Sequence, residues 1–107
     1  MFIAMNNFKV VAGKEGEFEE TWRGRQSYLQ GVPGFVHFAL LKGDQPGEYV
    51  SHSTWRDRDA FLAWTKSESF IAGHRAGSSL MGVLEGPPAV RLYDAVIEEP
   101  AKASANP

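Results

Sequence analysis

The chain has 107 residues, with 11 Lys and Arg against 13 Asp and Glu, for a net charge of −2. That length suits one domain, and without a basic excess there is no electrostatic footprint for nucleic acid or for anionic lipid. Cysteine is absent, which excludes disulfide scaffolds, thiol catalysis, Cys-ligated zinc and iron–sulfur clusters. Residues 2 to 11 are rich in Phe, Ile and Val and read as a first strand, broken at Ala12-Gly13-Lys14. From Glu15 to about Gln30 the pattern is helical, with Phe18, Trp22 and Leu29 on the apolar side and four acids near the start. Gly31-Val32-Pro33-Gly34 stops that helix. Strands over 35–42 and 48–55 flank the turn cluster Gly43 to Gly47 and predict a hairpin. A second helical region begins near Asp57 and carries Phe61 and Trp64. Ser67 then offers a fresh N-cap for a short helix from about Glu68 to Arg75. Residues 76 to 88 hold three Gly, two Ser and two Pro and read as a loop; 89 to 97 are the last strand.

The order β-α-β-β-α-β is the ferredoxin-like, split βαβ arrangement of the α+β class, with helices on one face of an antiparallel sheet. Residues 1–98 form the expected domain, and 99–107 an expected disordered tail of small residues. Strand one is apolar on both faces, with Phe2, Ala4, Phe8 and Val10 against Ile3 and Met5. Strand two repeats this, with Val36, Phe38 and Leu40 against Phe35, Ala39 and Leu41. Strands of that kind are buried on both sides. One layer of helices covers only one side, so a homodimer packed sheet to sheet is expected. No apolar run approaches the length of a bilayer span, and the first residues lack the features of a signal peptide. The expected setting is soluble and cytoplasmic, with neither membrane nor nucleic acid as partner.

Asn6 interrupts the apolar column Phe2, Ala4, Phe8, Val10, so its amide needs either backbone partners or a ligand. Asn7 points to the opposite face and reads as structural. Trp64 is core filler or a pocket wall. A lone His74 near a helix end is either a dipole-satisfied residue or a ligand. On one straight helix the ten residues from Trp64 to His74 would set them about 80° apart, a constraint that the break at Ser67 removes. His37 and His52 form no pair at metal-ligand spacing. No nucleophile elbow and no dinucleotide or phosphate fingerprint is present. The run Trp55-Arg56-Asp57-Arg58-Asp59 reads as a solvated helix start with local ion pairs, and secondarily as a site for anion contacts.

Several segments together resemble a known family. They are Ala4-Met5-Asn6, Gly13 with Phe18 and Glu19, Pro33-Gly34-Phe35, Ser53-Thr54-Trp55, and above all the stretch from Phe61 to His74, with its Trp64, Lys66-Ser67, Phe70 and His74. The chain is similar, from Phe2 to Tyr93, to the IsdG-type haem-degrading monooxygenases within the antibiotic-biosynthesis-monooxygenase group. The resemblance implies a ferredoxin-like dimeric barrel and an active site of Asn6, Trp64 and His74. It implies that haem is both cofactor and substrate, with His74 as the axial iron ligand. Asn6 would hydrogen-bond oxygen on the open side, and Trp64 would press the porphyrin out of plane. O₂ and an external reductase as electron donor would complete the reaction, which opens the ring and releases iron. The loop from Ala76 to Pro88 would be a candidate lid. Three other readings stand beside this one: a cofactorless monooxygenase of a polyketide-like phenol, a haem-storage or transfer protein without catalysis, and a stress-response or ligand-binding dimeric barrel with no chemistry.

Overall fold

The computed structural model describes residues 1–25, 27–76 and 82–101, with the side chains of all of these except 73–76. Its elements run β1 (Phe2–Lys9), α1 (Glu15–Gly24), β2 (Phe35–Lys42), β3 (Glu48–Trp55), α2 (Arg58–Thr65), α3 (Glu68–Ala76) and β4 (Ala89–Asp94). The four strands form one antiparallel sheet in the order β2-β3-β1-β4. This is the ferredoxin-like α+β architecture.

Local chemistry accounts for most boundaries. The Asp57 carboxylate accepts a 2.8 Å hydrogen bond from the Ala60 N–H and caps α2. The Ser67 hydroxyl accepts from the Phe70 N–H at 3.3 Å and donates to the Trp64 carbonyl at 2.6 Å, so one side chain closes α2 and opens α3. Gly34 has φ +82°, and a Cβ there would collide with that of Ala60. A glycine is what lets β2 begin against α2.

Four expectations need correction. Helix α1 ends at Gly24, six residues before Gln30, because Arg25 turns extended at φ −74° and ψ 150°. Leu29 is therefore off the helix, and it is buried with α2 instead. A bulge between Phe35 and His37 reverses the expected facing of Phe35, which pairs with Trp55 and packs on the helix side beside Phe38. The last strand stops at Asp94, leaving Val96 and Ile97 exposed. Finally, the C-terminal half of the 76–88 loop is pinned to the end of strand one. Leu84 bridges Val10, the Val11 N–H donates to the Val83 carbonyl, and Val83 is buried. Residues 77–81 of the expected lid, and 102–107 of the expected tail, lie outside the described residues.

The core is divided. Phe8, Val10, Phe18, Tyr49 and Val83 form one buried cluster, with Trp22 against it. Phe2, Leu29, Trp55, Ala60 and Phe61 form a second, with Phe35 and Trp64 against it. Helix α1 thus sits over one end of the sheet and α2 over the other. Among the described residues, no helix is long and apolar enough to cross a membrane.

Candidate active site

The gap between the two clusters falls on two rows of the helix-facing sheet surface. Register places Leu40, Ser51, Asn6 and Val90 side by side across the four strands, followed by Phe38, Ser53, Ala4 and Leu92. Neither cluster buries these positions fully. Val90 is 64% exposed although it points to the helix side, and Asn6, Ser51 and Ser53 are only half-buried. The floor of the cleft is therefore polar at its centre and apolar at both ends.

Asn6 lies where its column predicts, and its Oδ1 is sealed from solvent without a hydrogen-bond partner. The Trp64 indole Nε1 is in the same condition. Native interiors rarely leave such groups unmatched, so each marks a bond that this arrangement of the chain leaves unmade. Trp64 is held by rings on three sides, with centroids at 5.1 Å from Trp55, 6.0 Å from Phe61 and 4.8 Å from Phe70 on α3. His74 lies one turn beyond Phe70 along α3; its side chain lies outside the described residues. The structure thus places Asn6 on the floor between the two clusters, Trp64 against the second cluster and the backbone of α3 beside it.

Three contributors went unnoticed in the sequence. Trp22 stacks on Phe38 at 5.8 Å and 19°. The Arg25 guanidinium lies 4.9 Å and 4.8 Å from those same two rings. Burial lowers the Arg25 pKa from its usual value, and its Nε has no partner. Among the described residues this partly desolvated cation has no anion beside it, which suits a carboxylate-bearing ligand. Arg25 and Phe38 also line both of two cavities on the α1–β2 side. One is about 550 Å³, bounded also by Leu29, Val32 and Phe35. The other is about 320 Å³, bounded also by Glu19, Trp22, Lys42 and Tyr49. Only the extended turn at Arg25 creates this arrangement, and nothing in its sequence neighbourhood signals that turn.

The remaining candidates are accounted for elsewhere. Asn7 faces the open side of the sheet and donates through Nδ2 to the Ala89 carbonyl at 3.3 Å. His37 and His52 lie on that open side as well. In the run from Trp55 to Asp59, Arg56 pairs with Asp57 at 3.3 Å and Arg58 with Asp94 at 2.9 Å, so those charges are structural. Among the described residues, no cluster of three His, Asp or Glu is placed to hold a metal ion.

The sequence profile of the antibiotic biosynthesis monooxygenase family matches residues 1–76. The chain belongs to this family. It is 33% identical over 85 residues to a mycobilin-producing haem oxygenase of Mycobacterium tuberculosis, a match covering 75% of this chain and 79% of that protein. It is also 32% identical over 68 residues to the deoxynogalonate monooxygenase of Streptomyces nogalater, covering 63% and 57% of the two chains. Among solved structures, a variant of the haem degrader MhuD with two manganese protoporphyrin IX molecules per active site has a TM-score of 0.76 at 25% identity, covering 94% of this chain and 100% of that one. The cofactor-independent oxygenase SnoaB of Streptomyces nogalater has a TM-score of 0.69 at 26% identity, covering 94% and 97%. Family membership thus makes this a monooxygenase-type fold, with relatives of two distinct chemistries.

Proposed function

We propose that the protein is a haem-degrading monooxygenase that takes haem as substrate into the cleft between α1 and the α2–α3 pair. The observation that carries this reading is the pairing of two sealed, unpartnered polar atoms, Asn6 Oδ1 and Trp64 Nε1, across a cleft with aromatic borders. A flat macrocycle fits such borders, and the unpaired Arg25 suits its carboxylate edge. The bound iron supplies the oxygen chemistry, with O₂ and electrons from an external reductase of the reducing cytoplasm. The chain would supply shape and hydrogen bonds: Trp64 would bear on the bound macrocycle, Asn6 would donate into the cleft, and His74 would hold the iron. The open sheet face, with Ile3, Met5, Val50 and the 45%-exposed Leu41, supports a homodimer packed across it.

Titration with hemin tests the reading. A saturable Soret band at one haem per chain is expected, followed under O₂ and reductant by its loss, with iron and an opened tetrapyrrole seen by mass spectrometry. His74→Ala should abolish tight binding, whereas Asn6→Ala should keep the Soret band and lose about 100-fold or more in turnover. Asn7→Ala should change neither. A bound spectrum that survives reductant and O₂ would mark a haem-transfer protein. The absence of any Soret change would favour the second reading, cofactorless oxidation of a polyketide-like phenol, which the similarity to deoxynogalonate monooxygenase supports.

A further inference from the structure

The centre of the cleft floor holds a second polar residue that the reading above leaves idle. Ser51 stands directly opposite Asn6 in the β1–β3 ladder, on the same face of the sheet. Directly opposed side chains of an antiparallel pair have Cβ atoms about 5 Å apart, within reach of a bond between an amide and a hydroxyl once the hydroxyl turns towards it. Ser51 is half-buried and, among the described residues, its hydroxyl makes no hydrogen bond. The neighbouring hydroxyl is committed elsewhere: Ser53 Oγ accepts from the Trp55 indole at 2.9 Å and donates to the Ala4 carbonyl at 3.4 Å. The other neighbours of Asn6 in its row, Leu40 and Val90, carry no polar side-chain atom. Asn6 Oδ1 is sealed and unmatched; Ser51 is the adjacent side chain with a free proton to give it.

We propose that Ser51 is the positioning residue of Asn6. Neither atom is bonded in the structure; by turning about χ1 the Ser51 hydroxyl donates to Asn6 Oδ1 and so fixes which end of the amide faces the cleft. An amide is donor at one end and acceptor at the other, and the two ends are nearly the same size. Free to turn, Asn6 would present Oδ1 to the substrate for part of the time. An acceptor there repels oxygen that is gaining negative charge, whereas a donor stabilises it. With Ser51 holding Oδ1, Nδ2 is left to donate into the cleft. Serine suits the task because its hydroxyl is short and polar and adds no bulk to a floor that must stay open. As a catalytic claim this rests on the proposed monooxygenase function; as a claim about the orientation of Asn6 it does not.

Two measurements on the full chain test it. The first uses the ligand-free protein and reads the Asn6 side-chain NH₂ pair by ¹H–¹⁵N NMR. Ser51→Ala should shift that pair and speed its exchange with solvent, and Ser51→Thr, which keeps the hydroxyl, should restore it. Ser51→Val matches Thr in shape without the hydroxyl and should behave as Ala. The second measures haem turnover. Ser51→Ala and Ser51→Val should lose about five- to ten-fold in kcat, the worth of one hydrogen bond, with hemin affinity unchanged. In an Asn6→Ala background, Ser51→Ala should cost nothing more, because the group it positions is gone. An unchanged NH₂ pair in Ser51→Ala, wild-type kcat in Ser51→Val, or losses that multiply in the double variant would each overturn the proposal. If the chain binds no haem the functional reading fails, and the NMR response of the Asn6 amide still decides the pairing with Ser51.

Discussion

Phe8, Phe18, Trp22 and Tyr49 on one side of the cleft, and Phe2, Trp55, Phe61 and Trp64 on the other, use the same residue types with different support. The first block closes on charge. The Tyr49 hydroxyl donates to Glu19, which also pairs with Arg23 at 3.3 Å and Lys42 at 3.5 Å. The second closes on packing. Rings pack at 5.3 Å between Phe2 and Phe61 and at 5.7 Å between Trp55 and Phe61, and the Trp55 indole hydrogen is taken by Ser53 within the sheet. One side of the candidate site is therefore closed by a Tyr49–Glu19 pair that responds to pH at both ends of the scale. The other is closed by rings over a helix whose pH-sensitive support is its Asp57 cap. Between them lies a strip that the blocks cover only in part, where Asn6 Oδ1 goes unmatched. Stability resides at the two ends of the sheet, and function in the middle.

The largest effect should come from the second block. Trp55 is fully buried and touches the rings of Phe35, Phe61 and Trp64. Trp55→Ala should cost about 3–5 kcal/mol in urea unfolding, and it should release Trp64 and with it the cleft wall. A loss below about 1 kcal/mol would show that the ring ladder is not a core.

The strip should respond in the opposite direction. Asn6→Leu removes a sealed acceptor that is unbonded in the structure. Stability should hold or rise by about 1 kcal/mol, while turnover falls about 100-fold. Such an exchange of activity for stability is typical of a site kept polar for its chemistry. A clear loss of stability would mean that Asn6 is structural after all.

Much of this was legible in the sequence because alternation and capping are local. The strand-one column exposed Asn6 as the odd residue, Ser67 announced the break between α2 and α3, and Asp57 marked the start of α2. What escaped depended on backbone turns that leave no local trace. The extended Arg25 places its guanidinium over Trp22 and Phe38. The bulge at Val36 brings Phe35 round to the helix side. Ser51 escaped for a different reason: a serine in a strand carries no signal until the register sets it beside Asn6.

A mid-sized effect should separate the two blocks by pH. The hydrogen bond from Tyr49, with the nearby Lys42 and Arg23, holds the Glu19 carboxyl below its usual 4.5. A depressed carboxylate adds stability above its unfolded pKa and loses it as pH falls through the lower folded value. Burial, then the bond to Glu19, pushes the Tyr49 phenol up from 10.0 to about 12. That contribution is complete below pH 10 and drains away as pH rises from 10 towards 12. Tyr49→Phe removes both, so its Tm should drop by about 5 °C at neutral pH. The gap to wild type should narrow at acid pH and again above pH 10. A gap independent of pH would show that the charged closure of the first block contributes nothing.

The smallest effect should come from an exposed charge attached to the second block. Arg58 lies 4.7 Å above the Phe2 ring and pairs with Asp94 at 2.9 Å, the two side chains being 48% and 62% exposed. An exposed pair is worth about 0.2–1 kcal/mol and an exposed cation–π contact about 0.5–1 kcal/mol. Arg58→Ala should therefore cost about 1 kcal/mol, far less than Trp55→Ala. Salt separates the two parts. In about 1 M NaCl the Debye length shrinks to roughly 3 Å and the ion pair fades, while the contact of the guanidinium with the buried ring face is screened much less. Arg58→Ala should then lose part of its penalty in salt but not all of it. Arg58→Lys should keep the ion pair and forfeit the planar stacking, so its smaller deficit should persist unchanged in salt. A penalty for Arg58→Ala that vanishes in salt would reduce Arg58 to an ordinary surface charge and leave the second block held by packing alone.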